Sequence, residues 1–288
     1  MASVLITGTS SGIGLATALA FGRAGHKVAA TMRNPSRAPE LGQIAAREQL
    51  PITISSLDVD SDRSVKDGID RIVKQGGPID VLVNNAGVER TGSVEELPLA
   101  DFRAVMETNY FGAIRCIQAV LPTMRERRSG CIINVASIAG RIAGAPWAPY
   151  TASKFALEAL SESLAQEAKP FNVRVAIVEP GIIDTPMARR VEGAHAPSPY
   201  PQQRRFGALF TASLKHPVPP AVAGQKILEI VESGTWRLRH PVGPDAVPFL
   251  DMRKAMSDEE WVAWGALDDD HWYARVKTDF GLDARPTA

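Results

Sequence analysis

The sequence has little cysteine, no net charge and no long apolar run, and each absence excludes a class of protein. Cys116 and Cys131 are the only cysteines among 288 residues, and both lie in apolar stretches, so we expect a reducing, cytoplasmic location without a disulfide scaffold or cysteine-based zinc site. Basic and acidic residues both total 32, so no net field would recruit nucleic acid or an anionic membrane. No segment approaches the roughly 20 apolar residues that span a bilayer. The first predicted strand, Val4–Ile6, follows the initiator directly, which predicts a chain without a signal peptide.

Short apolar segments alternate with helical patterns through the first two-thirds of the chain. The predicted strands are 4–8, 27–31, 52–59, 80–87, 131–137 and 173–181. The predicted helices between them are 13–24, 62–75, 99–127 and 150–168. This alternation, with strands that are apolar almost throughout, predicts an α/β fold with a Rossmann-type, doubly wound parallel sheet.

The last third of the chain predicts a lid and an extension on the same domain. Residues 189–218 are rich in Pro, Ala and polar residues and predict a loop-like lid. A helix at 219–233 and a strand at 235–243 resume the alternating pattern. The tail, 244–288, has helical stretches rich in tryptophan and is expected to pack on the main body. We therefore predict a single domain over 1–288.

A glycine-rich turn follows the first strand and precedes a helix. Gly8, Gly12 and Gly14 let the backbone turn tightly and approach a pyrophosphate, and the helix N-terminus offers free N–H donors. Glycines also serve ordinary turns, but the strand before and the helix after favour a phosphate-binding site.

The same turn also matches G-x-S-x-G, the nucleophile elbow of serine hydrolases, with Ser10 as nucleophile. That elbow normally follows several strands, whereas a single strand precedes Ser10. The histidines offer no obvious base, although residues distant in sequence can meet in space; they are His26, His195, His216, His240 and His271. A serine hydrolase therefore stays a remote alternative.

Tyr150 and Lys154 are four residues apart at the start of a predicted helix, which places both side chains on one face. A neighbouring ammonium favours the phenolate, so we expect Lys154 to lower the pKa of Tyr150 from its free value of about 10. Such a phenol could exchange a proton with a substrate oxygen. A surface helix with an incidental Tyr and Lys is the simpler interpretation of this pair taken alone.

Polar residues lie where predicted strands end. Ser137 ends the strand CIINVAS, and Asn84 to Gly87 close the fourth strand at the same edge, where open parallel sheets bind ligands. Asn109 lies inside a long helical run although it is a poor helix former. Each alone could be a turn former, a cap or a solvent-facing residue.

Together these motifs resemble the classical short-chain dehydrogenases/reductases over about residues 1–188. LITGTSSGIG, ATMR, YTASKFALEALSESLA and VGPDA are most similar to the hydroxysteroid and retinol dehydrogenase branch. The residues that carry the family resemblance are Thr7-Gly8, Gly12-Ile13-Gly14, Asp58-Val59, Asn84 to Gly87, Asn109, Ser137, Tyr150, Lys154, Pro180-Gly181 and Thr185.

The resemblance implies a role for each of these positions. Tyr150 would be the catalytic acid/base, Lys154 would bind the nicotinamide ribose, and Ser137 would hold the substrate oxygen. Asn109 would support a water-linked proton path to Lys154. The implied cofactor-binding set is Gly8, Ser10, Ser11, Gly12, Ile13, Gly14, Arg33, Asp58, Val59, Asn85, Ala86, Gly87, Tyr150, Lys154, Pro180, Gly181, Ile183 and Thr185.

The end of the second strand predicts NADP(H) as the cofactor. Aligning this strand places Met32 where an NAD-binding chain carries an acid, and Arg33 follows at once. A guanidinium pairs with a 2′-phosphate by charge-assisted hydrogen bonds, whereas a carboxylate would repel it. Ser10 or Ser11 could add a hydroxyl contact. The alternative is an Arg33 side chain that points into solvent.

The expected substrate is a hydrophobic ketone, aldehyde or alcohol, because the loop Ile138–Trp147 and the lid residues Met187, Tyr200, Phe206 and Phe210 are mostly apolar. The resemblance implies a homodimer or homotetramer. A sensor or scaffold that binds NADP(H) without turnover stays an alternative, although a binder has no need of proton-transfer groups. Residues 268–271, DDDH, are interpreted as a solvated turn, and no metal site is predicted.

Overall fold

The centre of the protein is a parallel β-sheet of seven strands in the order β3-β2-β1-β4-β5-β6-β7. The computed structural model describes residues 1–192 and 197–286. The strands are β1 (Ser3–Thr7), β2 (Lys27–Met32), β3 (Ile52–Ser56), β4 (Val81–Asn84), β5 (Gly130–Val135), β6 (Val173–Pro180) and β7 (Arg239–Val242). The strand order reverses between β1 and β4, so a ligand crevice is expected beyond the carboxyl ends of these strands.

Helices cover both faces of the sheet and give three layers. On one face lie α1 (Gly12–Arg23), α2 (Glu40–Arg47) and α9 (Pro220–Ser233), which pack with β1 and β2 in one apolar core. On the other face lie α3 (Asp62–Gly76), α5 (Gly112–Arg127) and α6 (Ala148–Ala168), which form a second core. The predicted doubly wound α/β fold is confirmed.

Several predicted boundaries differ from the structure by a few residues. The strand predicted at 235–243 is shorter and covers Arg239–Val242, and α2 was not predicted. The long helix predicted at 99–127 consists of α4 (Leu99–Met106), a π-helical turn (Glu107–Phe111) and α5. The π-turn contains Asn109, and π-turns insert one extra residue into a helix, often at functional sites.

The prediction of a loop-like lid at 189–218 is wrong for much of this range, since α7 (Pro186–Glu192) and α8 (Pro201–Ser213) lie there. Its residues 193–196 lie outside the described part of the chain. Both helices begin at a proline, which is favourable at the first helical position. Phe206, Leu209 and Phe210 recur at helical spacing and are covered by other apolar side chains, so tertiary packing overrides the polar composition.

The C-terminal extension folds into α10 (Ala246–Lys254), α11 (Asp258–Gly265) and α12 (Asp269–Phe280). It packs on α8 and on Ile138 and Ile142 of the loop after Ser137 through a shared apolar cluster, whereas the sequence predicts only that it packs on the main body. Arg205 of α8, which is almost fully buried, pairs with Asp269 at 2.7 Å and donates to the Leu267 carbonyl oxygen at 2.6 Å. The extension therefore holds the lid in place.

Candidate active site

The glycine-rich turn between β1 and α1 needs glycine for two reasons. Gly8 and Gly12 have φ of 71° and 57°, in the left-handed region that L side chains rarely adopt. A Cβ on Gly8 would lie 2.7 Å from the Ala86 Cα, and a Cβ on Gly14 would run into the Gly8 carbonyl oxygen and the Asn85 amide. The backbone is therefore exposed at the cleft where α1 begins, as a pyrophosphate site requires.

Asn85 holds this turn from the neighbouring strand. Its side-chain amide donates to the Thr7 carbonyl oxygen at 2.9 Å and to the Gly8 carbonyl oxygen at 3.0 Å. In return the Thr7 hydroxyl accepts from the backbone N–H groups of Asn85 and Ala86 at 3.0 and 3.1 Å. The ends of β1 and β4 are thereby fixed relative to each other, and Asn85 shapes the cleft by holding the backbone of the glycine-rich turn.

The far end of the cleft is formed by the ends of β2 and β3. Met32 is buried as the last residue of β2, whereas Arg33 is exposed and lines the cavity. Asp58 and Val59 line the same cavity. The structure thus brings Arg33 to the part of the cleft where the sequence predicts adenine recognition.

Ser137, Tyr150 and Lys154 meet where β5 ends. All three side chains are buried and line the cavity. The Lys154 Nζ donates to the Val135 carbonyl oxygen at 2.9 Å and lies 5.5 Å from the centroid of the Tyr150 ring. The Ser137 hydroxyl accepts from the Ala139 N–H at 3.1 Å, which fixes the turn that follows the strand.

Burial determines the electrostatics of this group. Burial raises the pKa of the Tyr150 phenol well above its usual value, a hydrogen bond with the Ser137 hydroxyl lowers it, and the charge of Glu89 raises it. Burial also lowers the pKa of Lys154 to about 8, against the charge of Glu158, which raises it. The Tyr150 pKa is therefore raised where the sequence predicts a lowered one, because desolvation of the buried phenol is the largest cause of the shift.

Asn109 links three parts of the site. Its Oδ1 accepts from the Val88 N–H at 2.8 Å, and its Nδ2 donates to the Val88 carbonyl oxygen at 2.9 Å and to the Ser153 hydroxyl at 2.9 Å. Ser153 in turn donates to the Tyr150 carbonyl oxygen at 2.7 Å. The side chain of Asn109 thus ties the loop after β4 to the first turn of α6, while the expected proton path stays a prediction.

The segment after β6 completes the cleft, and Asp245 holds it. Pro180, Gly181, Ile183 and Thr185 line the cavity. The Asp245 Oδ2 accepts from the Ile182 N–H at 2.7 Å, and a Cβ on Gly181 would collide with the same carboxylate. Burial raises the pKa of Asp245. In the sequence, VGPDA carries a family resemblance but gives no signal for this supporting role of Asp245.

One cavity of about 840 Å³ joins the cleft to an apolar chamber. Beyond Tyr150 its walls come from the loop after Ser137, the lid and the C-terminal extension. The apolar side chains in these walls are Ile138, Ile142, Trp147, Ile182, Met187, Val191, Phe206, Leu209, Phe210, Phe249, Trp261, Val262, Trp264 and Trp272. The Trp147 ring stacks on the Tyr150 ring with centroids 4.2 Å apart.

Two residues differ from the predicted roles in this chamber. Tyr200 does not line the cavity among the described residues, because its hydroxyl donates to Glu95 on the surface. Trp261 was expected to pack on the main body, and it also forms a chamber wall, where its Nε1 donates to the Ala143 carbonyl oxygen at 2.7 Å. Proximity between residues this distant in sequence leaves no local sequence signal.

The other candidate sites have local structural explanations. None of the described histidines lines the cavity that contains Ser10, and His195 lies outside the described residues. Asp268 caps α12 by accepting from the His271 N–H at 2.9 Å. Over 1–192 and 197–286, no group of three or more His, Cys, Asp or Glu side chains is arranged to hold a metal ion.

Within the same ranges no helix has both the length and the apolar character to cross a membrane.

Comparison with known proteins agrees with this architecture. The family model described as short chain dehydrogenase matches residues 2–195. Retinol dehydrogenase 8 of Bos taurus is 45% identical over 188 residues, which are 64% of this chain and 59% of that protein. The matches span about three fifths of the length of the first curated relatives.

Solved structures extend the likeness to most of the chain. A short-chain dehydrogenase from Streptomyces avermitilis is 31% identical with a TM-score of 0.77, covering 92% of this chain and 96% of that one. A single-residue variant of the actinorhodin polyketide ketoreductase, determined with NADPH, is 28% identical with a TM-score of 0.76, covering 85% and 97%. The chain therefore belongs to the short-chain dehydrogenase/reductase family of oxidoreductases and is similar to its retinol and hydroxysteroid dehydrogenase branch.

Proposed function

We propose that the protein is an NADP(H)-dependent oxidoreductase that interconverts a hydrophobic ketone or aldehyde and the corresponding alcohol. The observation that carries the proposal is the position of Ser137, Tyr150 and Lys154. Their buried polar groups lie where the glycine-lined cleft opens into the apolar chamber. A dinucleotide in the cleft and an apolar substrate in the chamber would meet at these three residues.

The residues of the cleft fit the cofactor. The turn at Gly8, Gly12 and Gly14 leaves no room for a Cβ on Gly14, and the start of α1 supplies amide N–H donors for a pyrophosphate. Arg33 and Asp58 both line the cleft, where Arg33 would pair with a 2′-phosphate and Asp58 would accept from adenine. When bound, the cofactor supplies the hydride or accepts it.

The protein's own groups handle the substrate oxygen and its proton. In reduction, the Tyr150 hydroxyl donates its proton to that oxygen, and in oxidation the phenolate takes the proton back. The Ser137 hydroxyl holds the same oxygen by a hydrogen bond. Burial of Tyr150 keeps the phenol protonated before reaction, which suits the reductive direction.

The wall of the chamber is mainly apolar, although Arg190, Gln202 and Arg205 of the lid also line the cavity, and this composition supports a hydrophobic substrate. Trp147, Phe206 and Phe210 form an aromatic group beside Tyr150, with the Trp147 and Phe206 ring centroids 4.9 Å apart. An apolar substrate gains free energy by leaving water for such surroundings, whereas a charged one would lose its hydration.

Two other functions would give different results in an activity assay. A sensor or scaffold would bind NADP(H) without turnover, and a serine hydrolase would cleave esters without cofactor and depend on Ser10. The buried proton-transfer groups favour turnover, because a binding site alone has no need of a desolvated phenol.

The test is a screen of ketones, aldehydes and alcohols with NADPH, NADH and their oxidised forms. We expect turnover of apolar substrates that Tyr150→Phe reduces by about a hundredfold to ten-thousandfold, since the acid/base group is removed. Tyr200→Phe is the matched control, because Tyr200 lies outside the cavity, and it should retain activity. NADPH binding without turnover of any substrate would contradict the proposal.

A further inference from the structure

Two buried carboxyl groups lie behind the catalytic residues, and the proposed reaction uses neither. The side chain of Glu179, the residue before Pro180, is fully buried, and that of Glu158 on α6 is 6% exposed. The Glu158 Oε1 and the Glu179 Oε2 are both buried without a hydrogen-bond partner among the described residues. An ionised carboxylate in this state has lost water without full replacement, which favours its protonation.

The positive charges around the two carboxyls compensate them only in part. Arg239 of β7 donates to the Glu158 Oε2 at 2.9 Å, but the same guanidinium also pairs with the more exposed Glu162 at 2.8 Å. Arg141, in the turn after Ser137, reaches the Glu179 Oε1 at only 3.4 Å, and its side chain is 43% exposed. The charged groups that face the pair from the surrounding elements are Arg141, Arg237, Arg239, Glu162 and Lys154.

These surroundings favour one charge on the pair instead of two. Burial, and next the charge of Glu179, raise the pKa of Glu158 to about 7, against the opposing effect of Arg239 and Arg141. Burial also raises the pKa of Glu179. Two coupled acids of this kind titrate as a unit, and the first charge on the pair disfavours the second.

The pair touches the catalytic residues through α6 and the turn after β5. Glu158 lies one helical turn beyond Lys154, on the same face of α6, and its charge raises the Lys154 pKa. A Cβ on Gly140, three residues after Ser137, would lie 2.8 Å from the Glu158 Cγ. The Pro180 carbonyl oxygen, next to Glu179, accepts from the Ser137 hydroxyl at 3.4 Å.

We propose that Glu158 and Glu179 carry one proton between them at neutral pH. The second part of the proposal is that Glu158 is a positioning residue, which keeps the Lys154 ammonium charged once this proton leaves for solvent. The second part rests on the proposed function, in which Lys154 binds the cofactor. As the pH rises, Glu158 ionises before Lys154 would lose its own proton, and the new negative charge retains the proton on Lys154. The pair thus extends the pH range over which the site binds its cofactor.

The first experiment measures NADPH dissociation constants from about pH 6 to about pH 10 by cofactor fluorescence. NADPH binding should weaken at high pH in both proteins, and in Glu158→Gln this weakening should begin about one pH unit lower than in the wild type. At the same alkaline pH the NADPH dissociation constant of the variant should then be about tenfold higher. Glu162→Gln is the matched control, because it removes an equal charge from the same helix and the same Arg239; a change below about twofold is expected there. An unchanged profile in Glu158→Gln, or equal shifts in both variants, would overturn the proposal.

The second experiment needs no cofactor. An acid whose pKa is raised by folding makes the folded state less stable as the pH rises from the unfolded pKa of about 4.5 to the folded one. Thermal unfolding between about pH 5 and about pH 8 should show this decrease in the wild type. In Glu158→Gln and in Glu179→Gln the decrease should be smaller, because the remaining acid keeps the pKa shift caused by burial but loses the effect of its partner's charge. The two single effects should together exceed the effect of the double variant, because each single variant also removes the coupling between the acids.

Separate effects of the two single variants that add up to the double variant would refute the shared proton. This series also stands if Glu158→Gln does not fold, since the wild type and Glu179→Gln still report the decrease and its reduction. A wild type that binds no NADPH at any pH would contradict the proposed function, while the unfolding series would still decide the state of the acid pair.

Discussion

Arg33 illustrates what a single residue at a strand end can decide. It follows Met32 at the carboxyl end of β2, is exposed, and lines the cleft together with Asp58. A guanidinium there attracts a dianionic phosphate, and the buried, uncharged Met32 does not repel it. Cofactor preference is therefore proposed to depend on this side chain.

We predict that Arg33→Ala lowers kcat/KM with NADPH by about tenfold to a hundredfold and leaves kcat/KM with NADH nearly unchanged. The reason is the loss of one charge-assisted contact, worth about 1.5–3 kcal/mol. Arg37→Ala is the control, since Arg37 is also exposed in the following turn but is not among the described residues that line the cavity. An NADPH/NADH ratio that stays at the wild-type value would contradict the role of Arg33.

Residue identities at the site were predictable, but their electrostatics were not. Ser137, Tyr150 and Lys154 form a recognisable spacing, and the structure brings all three to one point. Desolvation leaves no mark in a sequence, so the direction of the Tyr150 pKa shift was predicted wrongly. Asp245 was missed for a related reason, because its contact with Ile182 joins residues 63 positions apart.

At the scale of elements, the lid and the extension form one structural unit. Helices α8 and α12 share an apolar cluster, and Arg205 joins them through Asp269. On the other side of the lid, Ser198 donates to Glu96 at 2.9 Å, and Arg190 lies 3.6 Å from Glu89. The lid is thus anchored both to the loop after β4 and to the C-terminal helices.

Trp261→Ala should raise KM for an apolar substrate by about tenfold while the NADPH dissociation constant stays unchanged. The indole forms a wall of the chamber, and its Nε1 donates to the Ala143 carbonyl oxygen in the loop after Ser137. Steady-state kinetics and a cofactor titration separate the two effects. Trp236→Ala, at a tryptophan that is 46% exposed and does not line the cavity, is the control; an equal KM increase there would refute the assignment.

Strands and long helices were easier to predict than the lid. Buried parallel strands such as β5 are apolar throughout, so their pattern does not depend on a distant partner. Helix α8 instead has many polar residues, and its contacts with the extension on one side and with α7 and Trp147 on the other select the helix over a loop. The spacing of Phe206, Leu209 and Phe210 was the available local signal.

At the scale of the whole molecule, the cleft runs across the sheet instead of beside one strand. Residues that follow β1, β2, β3, β4, β5 and β6 all line one cavity. Parallel strands place their carboxyl ends at one edge, which explains why residues scattered along the chain meet there. A ligand in this cleft therefore contacts most of the strands that must separate on unfolding.

NADPH at a hundredfold excess over its dissociation constant is accordingly expected to raise the free energy of unfolding by about 2.7 kcal/mol. The same concentration of NADH should produce a smaller increase, because its affinity is lower. Thermal unfolding with and without each cofactor measures both values, independently of any substrate. Equal stabilisation by the two cofactors would speak against NADP(H) preference, and an absence of stabilisation by both would speak against a dinucleotide site.

The π-turn at Glu107–Phe111 makes the length of its helix as important as its composition. The turn takes up one residue more than a regular helix would, so α4 before it and α5 after it both keep their buried faces on the core. Deleting one residue there would restore a regular helix and leave Cys116 and Val120 of α5 facing the sheet, but it would remove the local geometry that directs Asn109 towards Val88 and Ser153. A substitution at the exposed Phe111 leaves this geometry in place, whereas a one-residue deletion removes it.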